Sequence, residues 1–211
     1  MSARQITQSD TQNRFIIGIT GASGADYALR LIWRLSAIKG ESDVIISPNF
    51  YKVLASEGGI DGASGQNLLE IAMARYGKTS DLHEFSNLAY TDIGARAASG
   101  SQKYRAMVIV PCSMKTLAAV THGLSQNLIE RAADVSLKER RTLIVCPRES
   151  PLSTIHLRNM LALSEAGAIV MPLMPGYYHK PQNITDLYDF MVDRIMQHLG
   201  LSERAIEPWQ G

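Results

Sequence analysis

The chain has few cysteines, almost no net charge and no long apolar segment, and each shortage excludes a class of function. Two cysteines in 211 residues cannot supply a four-ligand zinc site, and the five histidines show no metal-binding spacing. A disulfide between Cys112 and Cys146 is not expected in a reducing compartment, so both are expected to be buried, inert thiols. A formal net charge of +1 provides no general attraction for nucleic acid or an anionic membrane.

No apolar run is long enough to cross a bilayer, and the polar residues 1–13 contain no apolar core of a secretory signal. A hydrophobic content of 45% with 19% charged residues is typical of a globular domain. We therefore expect a cytoplasmic protein with a polar N-terminal extension over 1–13 and a single domain over 14–211.

Short apolar runs rich in β-branched residues alternate with longer helical patterns along the chain. Runs of this length are typical of strands that are buried on both faces of a parallel sheet. Their alternation predicts a three-layer α/β/α Rossmann-like (flavodoxin-like) sandwich with a mostly parallel sheet. The expected strands are 15–20, 44–47, 107–110, 142–146 and 168–171, and the expected helices include 25–38, 67–76 and 185–199.

A helical segment carrying Arg131 and Lys138 is followed by a strand that ends in Pro147-Arg148-Glu149. Their separation is close to two helical turns, so both cations are expected on one face, roughly 10 Å apart. Two cations with Glu149 nearby at a sheet edge suit a phosphate-bearing ligand that needs proton transfer. Asp134 lies between the cations, which leaves open the alternative of a solvated stripe of ion pairs.

The first expected strand runs into the small residues Thr20-Gly21-Ala22-Ser23-Gly24-Ala25 at the start of a helix. Small residues let the backbone approach a ligand, and free N–H groups at a helix start favour a phosphate. The turn departs from G-x-G-x-x-G, and Ser47 rather than an acid ends the second strand. A mononucleotide therefore fits better than a dinucleotide, and a tight turn without a ligand remains the alternative.

A second strand-to-helix turn, Pro111-Cys112-Ser113-Met114-Lys115-Thr116, again places hydroxyl groups at the strand end. A helix N-cap is the alternative role for Ser113. The turns after Thr20, Val110 and Cys146 are expected at the same sheet edge, which favours a shared ligand crevice over three unrelated caps.

These motifs together resemble the flavin prenyltransferase family, the UbiX/Pad1-like proteins. The resemblance runs from about Phe15 to Trp209, which is nearly the whole chain. The motifs that carry it are Thr20–Ala25, Ala98–Ser101, Pro111–Thr116, Glu130–Arg141, Pro147–Glu149 and Tyr177–Gln182.

The resemblance implies an enzyme that joins a dimethylallyl group from dimethylallyl phosphate to N5 and C6 of reduced FMN, without a metal. The prenylated FMN would serve a UbiD-type decarboxylase, and the enzyme would be a homododecamer with sites between subunits. A non-catalytic FMN carrier and an FMN-dependent Cys-decarboxylase-like enzyme remain alternatives. The phosphate-binding cations argue against the second of these.

The family's functional positions can be matched to this chain one by one. The resemblance assigns FMN binding to Gly21, Ala22, Ser23, Ser47, Ser113, Met114, Lys115, Thr116 and Arg148. It assigns the prenyl phosphate to Ser99, Gly100, Arg131, Lys138, Tyr178 and Arg194. The residues it implies in catalysis are Glu149 as the acid/base carboxylate, together with Ser23, Lys138 and Arg131.

Overall fold

Parallel strands and helices alternate along the described residues, which are 13–58, 67–201 and 205 of the computed structural model. The strands are β1 (Arg14–Ile19), β2 (Gly40–Ile46), β3 (His83–Leu88), β4 (Ala106–Cys112), β5 (Thr142–Pro147) and β6 (Ile169–Val170). The helices are α1 (Ala25–Ser36), α2 (Pro48–Gly58), α3 (Leu68–Tyr76), α4 (Met114–Thr121), α5 (Leu128–Lys138), α6 (Thr154–Glu165) and α7 (Ile184–His198). The expected parallel α/β sandwich is confirmed.

The order of the strands determines where a ligand crevice can form. The six strands lie in the order β3-β2-β1-β4-β5-β6 and all pair in parallel. The chain builds outward from β1 to β3 and then returns past β1 to β4. Because the order reverses between β1 and β4, the segments that follow these strands diverge and leave a crevice at their carboxyl ends.

Alternate side chains of β1 fill two hydrophobic cores, one on each face of the sheet. Phe15 and Ile17 belong to the core that includes residues of α1, α3 and α7. Ile16 belongs to the core that includes residues of α4, α5 and α6. Burial on both faces explains why the sequences of the central strands are continuously apolar rather than alternating.

Two described elements have no counterpart among the elements expected from the sequence. The edge strand β3 has the mostly polar sequence His-Glu-Phe-Ser-Asn-Leu, so it lacks the apolar run that marked the other strands. The helix α6 follows Ser153, whose Oγ accepts a hydrogen bond from His156 N at 3.2 Å, and this cap was the available signal. The expected N-terminal extension lies outside the described residues apart from Asn13.

Buried ion pairs attach α7 to α1. Arg30 binds Asp189 through two hydrogen bonds, Nε to Oδ1 at 2.7 Å and Nη2 to Oδ2 at 2.8 Å. Arg34 Nη1 lies 2.9 Å from Asp193 Oδ1. Both aspartates are buried. Bidentate pairs of this kind fix orientation as well as contact, so they also set the direction in which the loop before α7 approaches the sheet.

A buried histidine on β3 makes the stability of the sheet depend on pH. His83 stacks between Phe15 and Phe85, and its Nε2 lies 2.8 Å from Ser42 Oγ. Burial lowers the pKa of His83, and this effect outweighs the hydrogen bonds to Ile38 and Glu41 that raise it. The folded protein therefore holds His83 neutral at a pH where an exposed imidazole is protonated.

We expect the free energy of unfolding to fall as the pH falls below about 6.5, where the unfolded chain gains a proton that the folded His83 does not. The contribution of His83 is complete above that pH and is lost as the pH falls toward the lowered pKa. Urea unfolding across this range measures the slope. His83→Asn should reduce it, whereas His122→Asn, at an exposed position, should leave it unchanged. An unaltered slope in His83→Asn would refute the assignment.

Candidate functional site

Thr20, the residue directly after β1, joins the carboxyl ends of β1 and β4. Its Oγ1 donates to Pro111 O at 2.8 Å and accepts from Ser113 N at 2.8 Å. Its backbone N also donates to Pro111 O, at 3.2 Å. The side chain is buried, so these bonds are shielded from water. The two turns expected to share a sheet edge are therefore attached directly to each other.

The turn between β1 and α1 forms a close-packed floor beside this junction. A Cβ added to Gly21 would lie 2.6 Å from Asn49 Cβ, so only glycine fits against α2 at this point. Gly24 has φ of 100°, a left-handed conformation that favours glycine. Both glycines bring bare backbone to the crevice, as the small-residue motif predicted.

The start of α1 is already occupied by a carboxylate from the chain itself. Glu57 accepts hydrogen bonds from Gly24 N at 3.1 and 3.0 Å and from Ala25 N at 3.0 Å. The expectation that free N–H groups at this helix start would favour a phosphate is therefore wrong. A phosphate would meet the negative charge of Glu57 in that position.

Glu57 was missed by sequence reasoning because its partners lie more than thirty residues earlier in the chain. One local signal was available. Glu57 is next to the last residue of α2, where the negative end of the helix dipole disfavours a carboxylate. An acid in that position is locally inconsistent unless another element uses it.

The second turn provides the helix start that remains open to an anion. Ser113 caps α4, and its Oγ accepts from Thr116 N at 3.3 Å and lies 3.1 Å from Thr116 Oγ1. The N-cap role is thus confirmed. The side chain of Met114 is buried in the core, whereas Lys115 is exposed. The first N–H groups of a helix have no partner within it, so this turn can bind a phosphate through its backbone.

Two buried donors face this edge of the sheet without a partner among the described residues. They are Ser47 Oγ, after β2, and Arg148 Nε, after β5. An unmet buried donor costs about 1–3 kcal/mol, and more when the group is charged. Both residues were assigned to the flavin from sequence. They lie on either side of the crevice, and the strands that they follow, β2 and β5, are three strand spacings or about 14 Å apart. They fit the polar part of a mononucleotide.

Glu149 follows Arg148 directly and is exposed at the same edge. Its Oε1 accepts from Ser150 N at 3.0 Å. The backbone N of Arg148 donates to Cys112 O at 3.3 Å and extends the pairing of β5 with β4. The structure thus brings Glu149 and Arg148 to the same edge as Thr20 and Ser113.

Lys138, by contrast, lies at the opposite end of the sheet, where the parallel strands begin. It ends α5, and β5 begins four residues later and runs about 17 Å to its carboxyl end. The expected grouping of Lys138 with Glu149 is therefore not formed within one chain, whereas Arg131 lies near the other end of α5. The reason is topological, because a helix that precedes a parallel strand runs antiparallel to it.

Arg131 and Lys138 both form exposed ion pairs. Arg131 Nη1 lies 2.9 Å from Asp134 Oδ2, and Lys138 Nζ lies 2.7 Å from Glu139 Oε1. Of the ion-pair stripe that the sequence left open, the pair of Arg131 with Asp134 is therefore present, whereas Lys138 pairs with Glu139 rather than with Asp134. Such exposed pairs are weak and exchange readily for a ligand phosphate.

One part of the expected phosphate site is assembled around Lys138. A Cβ added to Gly100 would meet the Glu139 carboxylate first and lie 3.1 Å from Lys138 Nζ, so the glycine backbone packs against the ion pair of Lys138 with Glu139. Ser99, beside it, has its Oγ 2.8 Å from Ser101 Oγ. Hydroxyl groups, a bare backbone and a cation are the groups that phosphates bind.

Tyr178 and Arg194 belong to the other face of the sheet. Tyr178 is 54% exposed and packs edge-on against Phe190 of α7 and His179. Arg194 is exposed near the end of α7, where Nη1 donates to Gln197 Oε1 at 3.2 Å. The structure does not bring these two residues to Ser99, Gly100 and Lys138.

The described residues limit the alternative chemistries. Cys112 and Cys146 are free and fully buried, and burial raises the pKa of both thiols well above the usual range, as expected for inert cysteines. Within the described ranges, no cluster of His, Cys, Asp and Glu is arranged to hold a metal ion. None of the described helices is long and apolar enough to cross a bilayer.

Comparison with known proteins gives consistent matches over most of the chain. The family model described as Flavoprotein matches residues 3–196. The flavin prenyltransferase UbiX of Pseudomonas aeruginosa is 43% identical over 198 residues, covering 93% of both chains. The flavin prenyltransferase UbiX of Methanocaldococcus jannaschii is 43% identical over 196 residues, covering 93% of this chain and 98% of that protein.

Solved structures agree with these matches. A UbiX protein in complex with FMN and dimethylallyl pyrophosphate has a TM-score of 0.81 and 35% identity, covering 94% of this chain and 98% of that one. A dodecameric FMN-dependent UbiX-like decarboxylase from Escherichia coli O157:H7 has a TM-score of 0.81 and 36% identity, with coverage of 94% and 100%. The FMN-dependent cysteine decarboxylase TvaF, with 16% identity and a TM-score of 0.57, shares the fold alone.

Removing the Glu57 carboxylate should destabilise α1. We expect Glu57→Ala to lower the free energy of unfolding by about 1 kcal/mol, because two helix-start N–H groups lose their acceptor and a favourable charge. Glu57→Gln retains an acceptor oxygen and should lose less. Urea unfolding measures both changes, and equal stability of Glu57→Ala and the wild type would contradict the capping role.

Proposed function

The chain belongs to the flavin prenyltransferase family of flavoproteins, and we propose that it joins a dimethylallyl group from dimethylallyl phosphate to N5 and C6 of reduced FMN. The main support from the structure is the pair of buried, unpartnered donors, Ser47 Oγ and Arg148 Nε, on either side of the crevice. Relatives at 43% identity carry this activity in their name, and a similar structure holds FMN with a dimethylallyl diphosphate.

Different turns around the crevice would bind different parts of FMN. The close-packed backbone of Gly21 and Ala22 would support the ring, and the hydroxyl of Ser23 would hydrogen-bond a ring heteroatom. The start of α4 would bind the phosphate through the backbone N–H groups of Met114 and Lys115 and the hydroxyls of Ser113 and Thr116. Ser47 and Arg148 would satisfy their free donors on the polar atoms between these two ends.

Reduced FMN supplies the nucleophilic N5 and C6 atoms when it is bound. The chain's own contribution begins with the leaving phosphate, whose growing negative charge Arg131, Lys138 and Arg194 would neutralise. Ser99, Gly100 and Tyr178 would bind the same phosphate. Buried apolar residues such as Ala22 and Met114 would exclude water from the reactive allylic group.

Glu149 would carry the proton step. The bond to C6 uses the prenyl double bond, so one alkene carbon gains a proton and C6 loses one, and a carboxylate at this end of the sheet is a suitable base for the proton that leaves C6. Glu149 follows Arg148 in the chain, so flavin binding by Arg148 would also bring the carboxylate close to the ring.

A site that combines all of these residues would need more than one copy of the chain. Lys138 and Gly100 lie at the sheet edge opposite to Glu149, and Tyr178 and Arg194 lie on the other face. We therefore propose a homo-oligomer, a homododecamer like the Escherichia coli relative, in which one subunit supplies the phosphate-binding residues to the flavin of another.

The proposed product has a clear use outside this protein. Prenylated FMN would be delivered to a UbiD-type decarboxylase in the cytoplasm. Two other functions share the flavin site: an FMN carrier that performs no chemistry, and a cysteine decarboxylase of the type that shares the fold. The cluster of Ser99, Gly100 and Lys138 favours the transferase, because neither flavin storage nor thiol oxidation requires a phosphate-binding cluster.

Incubation with reduced FMN and dimethylallyl phosphate under anaerobic conditions tests the activity directly. The mass of the extracted flavin should rise by one five-carbon prenyl unit. Glu149→Gln should bind FMN normally but form the fourth ring at least about a hundredfold more slowly, because it cannot accept the proton. Glu165→Gln, an exposed acid at the end of α6, is the matched control. Unchanged flavin mass with tight binding would indicate a carrier instead.

Mixing two inactive variants tests whether sites form between subunits. Glu149→Gln and Lys138→Met should each abolish most activity alone. Co-expression should restore part of it, because some sites in the mixed oligomer would combine an intact Glu149 from one subunit with an intact Lys138 from another. No recovery in oligomers shown to be mixed would indicate that both residues serve the same subunit's site.

A further inference from the structure

A buried carboxylate on β2 holds both ends of the segment 96–104, which carries the expected phosphate-binding residues. Asp43 is 2% exposed and lies on the face of the sheet that packs against α5. Its partners are Arg96, in the 3₁₀ turn that begins the segment, and Tyr104, two residues before the strand β4. One side chain therefore fixes the entry and the exit of a single loop.

The contacts of Asp43 leave little freedom to this arrangement. Arg96 Nε lies 3.0 Å from Asp43 Oδ1 and 2.8 Å from Oδ2, and Arg96 Nη2 also donates to Oδ1. The hydroxyl of Tyr104 donates to Oδ2. A carboxylate that accepts from a guanidinium and a phenol within the core defines the positions of both donors.

Two further arginines hold the middle of the loop. Arg141 Nη2 donates to the carbonyl oxygens of Gly100 and Gln102, both at 2.6 Å. Arg14 Nη1 donates to Gln102 Oε1 at 3.3 Å, and its guanidinium lies 4.6 Å from the centre of the Tyr104 ring. The loop is thus attached at both ends and at its centre, and its backbone carbonyls point toward cations of the chain.

What this loop presents to the outside is a set of phosphate-binding groups. Ser99 Oγ and Ser101 Oγ lie 2.8 Å apart, and the Gly100 backbone packs against the exposed ion pair of Lys138 with Glu139, whose carboxylate a donor phosphate would displace from the ammonium group. None of these residues touches Asp43, which lies beneath them in the core. The side chain of Arg96 is 44% exposed, whereas that of Asp43 is 3% exposed, so the network runs from the core to the surface that carries the loop.

Stability alone does not account for this arrangement. A buried ion pair contributes little net stability compared with apolar residues of the same size, because both charges lose their water. Its advantage is a defined geometry. We propose that Asp43, Arg96 and Tyr104 are positioning residues that set the Ser99–Ser101 loop for the donor phosphate, an inference that rests on the proposed function.

Direct binding of dimethylallyl phosphate, measured by calorimetry on the full-length protein, tests the loop independently of turnover. The variants are Arg96→Met, Arg96→Lys, Tyr104→Phe and the double variant Asp43→Leu with Arg96→Met. The double variant removes both charges, so it folds without an uncompensated buried carboxylate. Ser42→Ala is the matched control, because it removes a buried hydrogen bond on the opposite face of β2 and leaves the loop untouched.

We expect Arg96→Met and the double variant to raise the Kd for dimethylallyl phosphate about tenfold, because the phosphate-binding groups lose their alignment. Arg96→Lys and Tyr104→Phe should fall between these variants and the wild type. The Kd for FMN should not change in any of them, since its site lies at the other edge of the sheet. Ser42→Ala should lower stability without changing either Kd.

Two results would overturn the inference. One is a Kd for dimethylallyl phosphate within twofold of wild type in the folded double variant. The other is an equal loss of affinity in Ser42→Ala, which would show that only general stability matters. If the wild type binds the donor but forms no prenylated flavin, the proposed function fails while the Kd values still decide the role of the loop. If the wild type does not bind the donor, both fail.

Discussion

The bond network of Thr20 is the constraint on which the rest of the site depends. Parallel pairing does not by itself align the segments that follow two strands. Here the Thr20 hydroxyl aligns them, because it donates to Pro111 O near the end of β4 and accepts from Ser113 N, the first amide after β4. The floor of the crevice and the open start of α4 therefore keep a fixed relation. Ser47 and Arg148 follow β2 and β5, which pair with β1 and β4, the two strands whose ends Thr20 connects.

The ion pairs that position elements differ from the ion pairs whose cations are assigned to the ligand. Charges that position elements pair with a buried carboxylate, as in Arg30 with Asp189 and Arg96 with Asp43. Charges assigned to the ligand are exposed and only loosely paired, as in Arg131 with Asp134. Loose pairs cost little to break, so a phosphate can replace the carboxylate partner without disturbing the fold.

Sequence predicted the strands buried on both faces, because continuous β-branched runs have few other uses. It also predicted the crevice turns, since Gly21 and Ser113 mark local backbone requirements. It did not predict β3, whose edge position permits polar residues, or Glu57, whose partners depend on tertiary packing. The placement of Lys138 was misjudged for a similar reason. Helical spacing shows which side chains share a face, but only the connection to β5 shows which edge they reach.

Glu57 also affects how the protein behaves between catalytic cycles. In many nucleotide-binding folds the first helix depends on a bound phosphate to satisfy its N-terminal amides, so the loss of ligand loosens that helix. Here the chain provides its own anion at that position. The helix that borders the crevice therefore remains intact when the crevice is empty. That independence suits a protein whose flavin leaves after each turnover, because releasing the product does not require part of the fold to melt and form again.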